Sequence, residues 1–211
     1  MTYTDLIYCD EWKSWRDPEV PETFNPTTFL LDKHIGTQNE SKIGLIIDSE
    51  SHTYSNLLAM TCRVSNGLKS LGLRPGERLL MFGTNSVDYI ATWLGAIRAG
   101  IVPVVVSDLY KSDNLLYFIN DTASEALFID EEQVQKLQSI EDKITLDLSS
   151  VIIRGDNMQI SNLCSDNFQT IRFTTLIGNK NQVFDPVLCH RNDISYMFYS
   201  GGTTGTAIGI T

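Results

Sequence analysis

The sequence predicts an α/β fold, a parallel sheet flanked by helices, and three observations carry that reading. The run Ile101 to Val106 is continuously apolar, the signature of a strand covered on both faces. Two stretches, Ser55 to Leu71 and Ser86 to Gly100, repeat their apolar residues at helical spacing. Glycine and proline punctuation at Gly72, Pro75-Gly76 and Gly100 separates these runs into alternating strands and helices.

In chain order, residues 1–26 are aromatic, acidic and proline-bearing (Trp12, Trp15, Pro18, Pro21, Pro26) and read as an extended arm over a body that begins at residue 27. Thr27 or Thr28 is placed to cap a helix running to Thr37, with Phe29, Leu30 and Leu31 as its apolar side. Ile43 to Ile47 reads as a strand, and Asp48 to His52 as a turn. In the next helix Leu57, Val64, Leu68 and Leu71 share a face that Gly72 terminates. Arg78 to Phe82 is a strand. Ser86 caps a helix whose inner face is Ile90, Trp93, Leu94 and Ile97, closed by Gly100. The following strand is expected to begin after Pro103, which lacks a ladder donor. Asp113 to Asp121 and Glu131 to Ser139 read as helices, and Ala126 to Ile129 and Val151 to Ile153 as strands. Residues 155–190 are polar and irregular, with one short element near Phe168 to Phe173; Tyr196 to Tyr199 is a last apolar strand.

Composition excludes several function classes. The 211 residues carry 16 Lys and Arg against 26 Asp and Glu, a net charge of −10. That balance argues against nucleic acid or an anionic membrane as partner. No apolar run approaches a membrane span, and no secretory leader is visible at the start. Cys9, Cys62, Cys164 and Cys189 form no CxxC pair, and the three histidines show no ligand spacing, so reduced thiols, a cytoplasmic location and no metal site are the expectation.

The chemistry concentrates after Tyr199, in Ser200-Gly201-Gly202-Thr203-Thr204-Gly205-Thr206. A loop of only Gly, Ser and Thr can turn several N–H groups and hydroxyls toward one point, which suits a phosphate. The alternative is a plain glycine-rich turn at a strand end. No Lys-Ser/Thr follows Gly205, so this is not the Walker form. A second strand is expected after the loop, where the chain stops.

Four stretches in order resemble the adenylate-forming enzymes, the family of acyl- and aryl-CoA synthetases, luciferases and peptide-synthetase adenylation domains. His52-Thr53-Tyr54-Ser55-Asn56-Leu57 is similar to their Thr-Tyr-x-x-Leu element, and Leu71-Gly72-Leu73-Arg74-Pro75-Gly76-Glu77-Arg78 to their Pro-Gly turn. The stretch from Leu94 to Val104 resembles their Ala-Gly element before a strand, and Tyr199 to Ile210 their phosphate loop. The stretch from Glu22 to Ile35 looks most like benzoate-type CoA ligases.

The resemblance implies the N-terminal subdomain of an adenylation domain, incomplete at its C-terminus. It implies ATP, Mg2+ and coenzyme A as cofactors and an aryl or acyl carboxylic acid as substrate. The acid attacks the α-phosphate of ATP, and the acyl group of the resulting adenylate then passes to a thiol. By matching position, Ser200, Gly201, Gly202, Thr203, Thr204 and Gly205 hold the β- and γ-phosphates. Two positions depart from the family: Ile208 stands where its loop lysine is, and Gly201 where a serine is common. The family's adenine-binding, Mg-ligating and catalytic lysine positions lie beyond the loop, so no catalytic residue is expected in this chain. The sequence therefore reads as an N-terminal portion of an acid–CoA ligase, expected to be inactive by itself and with weakened phosphate contact, or alternatively as a degenerate remnant or interaction module of the same fold.

Overall fold

The computed structural model describes residues 20–47, 49–144, 148–156, 167–200 and 208–211. A seven-stranded sheet organises them, in the order β11-β10-β5-β4-β6-β7-β8. Its strands are β4 (Arg78–Phe82), β5 (Val102–Val105), β6 (Ala126–Asp130), β7 (Ser150–Arg154), β8 (Gln169–Arg172), β10 (Met197–Ser200) and β11 (Ile208–Ile210). Every neighbouring pair is parallel except the antiparallel β10–β11 hairpin. The parallel strands alternate with helices, as the sequence pattern requires.

Alternation along the central strands splits the core in two. Leu79 and Met81 of β4, Ala126 and Phe128 of β6 and Ile152 of β7 face α2 (Tyr54–Ser70), α3 (Val87–Arg98) and α6 (Phe173–Ile177). Leu80 and Phe82, Leu127 and Ile129, Val151 and Ile153 face α4 (Ser112–Thr122) and α5 (Val134–Gln138) on the other side. Both faces are dry, which explains why these strands read as unbroken apolar runs. Each fully buried Leu, Ile or Phe contributes about 1.5–3 kcal/mol by transfer from water.

The helices begin and end where local chemistry directs. Thr53 caps α2 through Asn56 N–H, and Ser86 caps α3 through Tyr89 N–H. Gly72 and Gly100 follow these helices at φ +90° and +73°, a region costly for other residues. α2 and α3 pack closely because Gly95 has no side chain: a Cβ there would sit 2.6 Å from Val64 Cγ1. The Ser65 hydroxyl also donates to the Gly95 carbonyl at 2.8 Å.

Several local expectations are corrected. The first helix, α1, spans Pro26–Leu30 and is capped by Asn25, not by Thr27 or Thr28; a 3-10 turn, Asp32–His34, follows. Asn25 Oδ1 accepts from Thr27 N–H, and Pro26 occupies the position where a missing N–H costs nothing. In place of the turn after Ile47, Glu50–Thr53 forms β3, paired antiparallel with β2 (Ile43–Ile47). Pro103 lies inside β5. Val102 N–H points at β4, bonding the Glu77 carbonyl at 2.8 Å, so by alternation Pro103 faces β10, whose pairing starts only at Val104. The helix expected from Glu131 opens as a 3-10 turn before α5. Between residues 167 and 190 the chain builds β8, α6 and β9 (Cys189–His190), and β9 pairs with β1 (Thr23–Phe24). The strand expected after the loop is present as β11.

A polar staple fastens the N-terminal segment. Arg98, buried at the end of α3, forks onto Asp32 at 2.7 and 2.9 Å and donates from Nε to the Phe184 carbonyl at 2.8 Å. Burial works against that charge, but the hydrogen bond and charge of Asp32 outweigh it and the guanidinium pKa rises. The Asn25 amide donates to the Ile97 and Val187 carbonyls, both at 2.8 Å.

Candidate functional site

Because the strands are parallel, their carboxyl ends line one edge of the sheet. Strand order reverses between β4 and β6: the chain steps from β4 to β5 on one side, then through β6, β7 and β8 on the other. Open α/β sheets take ligands outside the carboxyl ends near such a reversal. A hollow of about 410 Å³ opens on this edge, with Gly83, Thr84 and Asn85 after β4, Ser107 and Asp108 after β5, and Tyr199 of β10 among its lining. A larger hollow of about 730 Å³ lies at the opposite edge, against Pro75, Gly100 and Asp193. The carboxyl-edge hollow is the candidate, because the Gly/Ser/Thr loop leaves β10 on that side.

The phosphate-loop positions fall as follows. Ser200 ends β10, and its backbone pairs with Ile208, the first residue of β11. Gly201, Gly202, Thr203, Thr204 and Gly205 lie outside the described residues. Ile208 is 68% exposed, so the side chain at the position of the family's lysine faces solvent. The hairpin register is Phe198 with Ile210, Tyr199 with Gly209 and Ser200 with Ile208.

The polar groups near the hollow were not apparent from the sequence. Asp130, buried at the end of β6, accepts from Thr84 N–H at 2.8 Å, Thr84 Oγ1 at 2.9 Å and Arg154 Nη2 at 2.5 Å. This network fixes the turn after β4. Lys136 of α5 donates to the carbonyls of Asp108 and Tyr110, each at 2.7 Å, which fixes the turn after β5 and sets its ammonium 5.1 Å from the Phe82 ring centroid. The Asp88 carboxyl on α3 is raised above its ordinary value, first by burial, with nearby Arg154 opposing. Burial and Asp121, to which its hydroxyl donates, raise the Tyr199 phenol. Sequence separation hid these pairs; the one local signal was Asp121 in the last turn of a helix, where the dipole disfavours an anion. Among the described residues no group of three or more His, Cys, Asp or Glu is disposed to hold a metal ion.

The sequence profile of the family described as AMP-binding enzyme matches residues 32–211. The chain belongs to this family. The benzoate–CoA ligase of Thauera aromatica is 24% identical over 192 residues, covering 90% of this chain and 34% of that protein. The 3-hydroxybenzoate–CoA ligase of Aromatoleum sp. (strain CIB) is 32% identical over 157 residues, covering 74% of this chain and 28% of the ligase. Among solved structures, the anthranilate CoA ligase AuaEII in complex with anthranoyl-AMP superposes with a TM-score of 0.81 at 22% identity, covering 93% of this chain and 36% of that one. ATP-bound MatB from Rhodopseudomonas palustris gives a TM-score of 0.68 at 22% identity, covering 88% and 34%. These superpositions show that the AMP-binding fold is shared. This chain spans about a third of the length of the curated relatives it matches.

Proposed function

We propose that this chain is the phosphate-binding part of an ATP-dependent acid–CoA ligase, acting on an aryl carboxylic acid. The observation that carries the reading is the β10–β11 hairpin, which brackets a seven-residue Gly/Thr/Ala loop at the carboxyl edge of a parallel sheet. In this reading Ser200, Gly201, Gly202, Thr203, Thr204 and Gly205 hold the β- and γ-phosphates of ATP, with Mg2+ arriving on the nucleotide. Their N–H groups and hydroxyls spread the negative charge that grows toward pyrophosphate as the carboxylate attacks. Coenzyme A then takes the acyl group. The aryl preference rests on the benzoate- and hydroxybenzoate-activating relatives. In this reading residues 1–26 serve as an arm and 27–211 as part of one adenylation domain, and the β1–β9 pairing lays the end of the arm against the body. A cytoplasmic setting fits the free thiols of Cys62 and Cys189. No helix among the described residues is long and apolar enough to cross a membrane.

Ile208 favours a second reading, a remnant with the body kept and the chemistry lost. A charge-assisted hydrogen bond contributes about 1.5–3 kcal/mol, and isoleucine supplies none of it. Two measurements separate the readings. Carboxylate-dependent ATP–pyrophosphate exchange is expected to be absent from this chain alone, and robust exchange would overturn that expectation. Titration with Mg-ATP is expected to show weak binding that Ile208→Lys tightens about three- to tenfold, the exposed site reducing the full value. Affinity unchanged by the lysine would remove residue 208 from the phosphates.

A further inference from the structure

A long crossing leads into β10. After α6, beside β8 at one end of the sheet, the chain passes the C-terminal ends of α2 and α3 and enters β10 on the far side of β5. Polar side chains clip this connection to the body. The Asn66 amide of α2 donates to the Asn181 and Val183 carbonyls at 2.9 and 3.0 Å, and Arg98 Nε donates to that of Phe184. Further on, Val187 N–H donates to the Arg98 carbonyl at 2.9 Å, and the Asn25 amide donates to the carbonyls of Ile97 and Val187, both at 2.8 Å. From there the partner is the N-terminal segment. β9 pairs with β1, Arg191 N–H donates to the Glu22 carbonyl at 2.8 Å, and Arg191 Nη1 donates to the Val20 carbonyl at 2.6 Å.

Burial contributes little to these contacts. None of the side chains from 177 to 199, nor any from 20 to 24, is buried, and Val183 and Leu188 are 69% and 62% exposed. A space of about 80 Å³ remains beneath, with Phe24, Ile97, Ile101, Cys189 and Ile194 in its lining. Segments held by hydrogen bonds over an incompletely filled space open at a lower free energy than strands buried on both faces. The first buried side chain of the N-terminal segment is Asn25, and all of its polar atoms are engaged: Oδ1 accepts from Thr27 N–H and Oγ1 at 3.0 and 2.7 Å. One side chain thus joins α1, the end of α3 and the connection to β10. β10 in turn pairs with β5 at two positions, Met197 with Val104 and Phe198 with Val105.

We propose that residues 20–25 and 184–194 form one clasp that opens as a unit with Asn25 as its latch, and that opening loosens the start of β10 while the centre of the sheet stays folded. The two halves leave together because Asn25, the β1–β9 ladder and Arg191 each bridge them, and either half alone would lose the partners of its backbone groups. The far end of β10 keeps its own tie to α4 through Tyr199. The clasp therefore couples two places far apart in sequence: whatever draws residues 20–25 away from β9 acts on the entry of β10 into the sheet.

The test follows amide hydrogen exchange, peptide by peptide and under low urea, in the full chain and in Asn25→Ser. Serine keeps an oxygen that caps α1 but has no amide to give to Ile97 and Val187. In the parent, peptides covering 20–25, 184–194 and the entry of β10 at 195–197 should share one opening, reached at lower urea than exchange in β4 and β6. In Asn25→Ser that opening should become about ten- to a hundredfold more frequent, the range of two lost hydrogen bonds. Separate openings for 20–25 and 184–194, or exchange of both only together with β4 and β6, overturn the clasp. Exchange at 184–194 unchanged by the serine removes Asn25 as its latch. Slow exchange at 195–197 while the clasp opens overturns the coupling to β10. The parent's own pattern decides the first and the last of these even where the serine variant does not fold.

Discussion

The centre of the sheet and its β10–β11 edge are built from similar apolar residues and meet opposite fates. In β4, β6 and β7 nearly every side chain is buried, on alternating faces, under five helices. At the other end Phe198 is 44% exposed, Ile208 68% and Ile210 53%. The difference is one of cover. The central strands have a helical layer on each side, whereas among the described residues β11 pairs with β10 at the end of the sheet. The body's stability therefore rests on the centre of the sheet, where both faces are buried. The part that carries the proposed chemistry sits on its least covered edge.

Truncation should separate the two regions most sharply. Leu80→Ala or Phe128→Ala in the centre is expected to cost about 3–5 kcal/mol, transfer and cavity terms together. Phe198→Ala and Ile208→Ser at the edge should each cost about 1 kcal/mol or less, since both side chains are only partly buried. Urea unfolding of the four variants measures this directly. Equal losses at centre and edge would mean that the hairpin packs as tightly as the core.

The next effect concerns what holds the N-terminal segment to the centre. Asp32→Ala leaves the Arg98 guanidinium buried with its main partner gone, and breaking such a pair typically costs several kcal/mol. Because Asp32 is partly exposed, the expected loss is about 2–3 kcal/mol. Replacing both residues, Arg98→Met with Asp32→Ala, should recover part of it, because no uncompensated charge then remains. A double variant less stable than Asp32→Ala would show instead that Arg98 acts mainly by bonding the Phe184 carbonyl and Thr27.

The same contrast explains what could be read from the sequence. Strands β2 and β4, the Ser86 cap and the glycines ending α2 and α3 are legible because each is fixed by a local pattern of burial or backbone geometry. β3 is not. Glu50-Ser51-His52-Thr53 has no apolar alternation and becomes a strand only by pairing with β2. β8 is a polar edge strand that depends in the same way on β7. Asn25 is obscured by Thr27 and Thr28, equally good capping residues just beyond it, yet it caps α1 and also reaches the Ile97 and Val187 carbonyls. In the candidate site, composition and resemblance mark the loop, whose members from Gly201 to Gly205 lie outside the described residues. The supports around it, Asp130 with Thr84 and Asp121 with Tyr199, are joined across 46 and 78 residues, and apart from the unfavourable place of Asp121 in the last turn of α4 nothing local announces them.

The smallest expected effect sharpens the comparison at the boundary between the two regions, where α3 meets the carboxyl edge. Asp88 lies in the first turn of α3, where the helix dipole favours an anion, yet burial raises its pKa above 3.8. A carboxyl raised in the folded state binds its proton more tightly folded than unfolded. Its contribution is therefore fully present below its unfolded pKa and is lost as pH rises through the folded value. At neutral pH the ionised group is a net cost. Asp88→Asn should then be as stable as the parent near pH 3 and more stable at pH 7, by less than about 1 kcal/mol because Arg154 offsets part of the burial. Denaturant midpoints at the two pH values measure the gap. A gap of the opposite sign at pH 7 would mean that the dipole and Arg154 outweigh burial, and that this carboxylate belongs with the charges fixing the turn after β4.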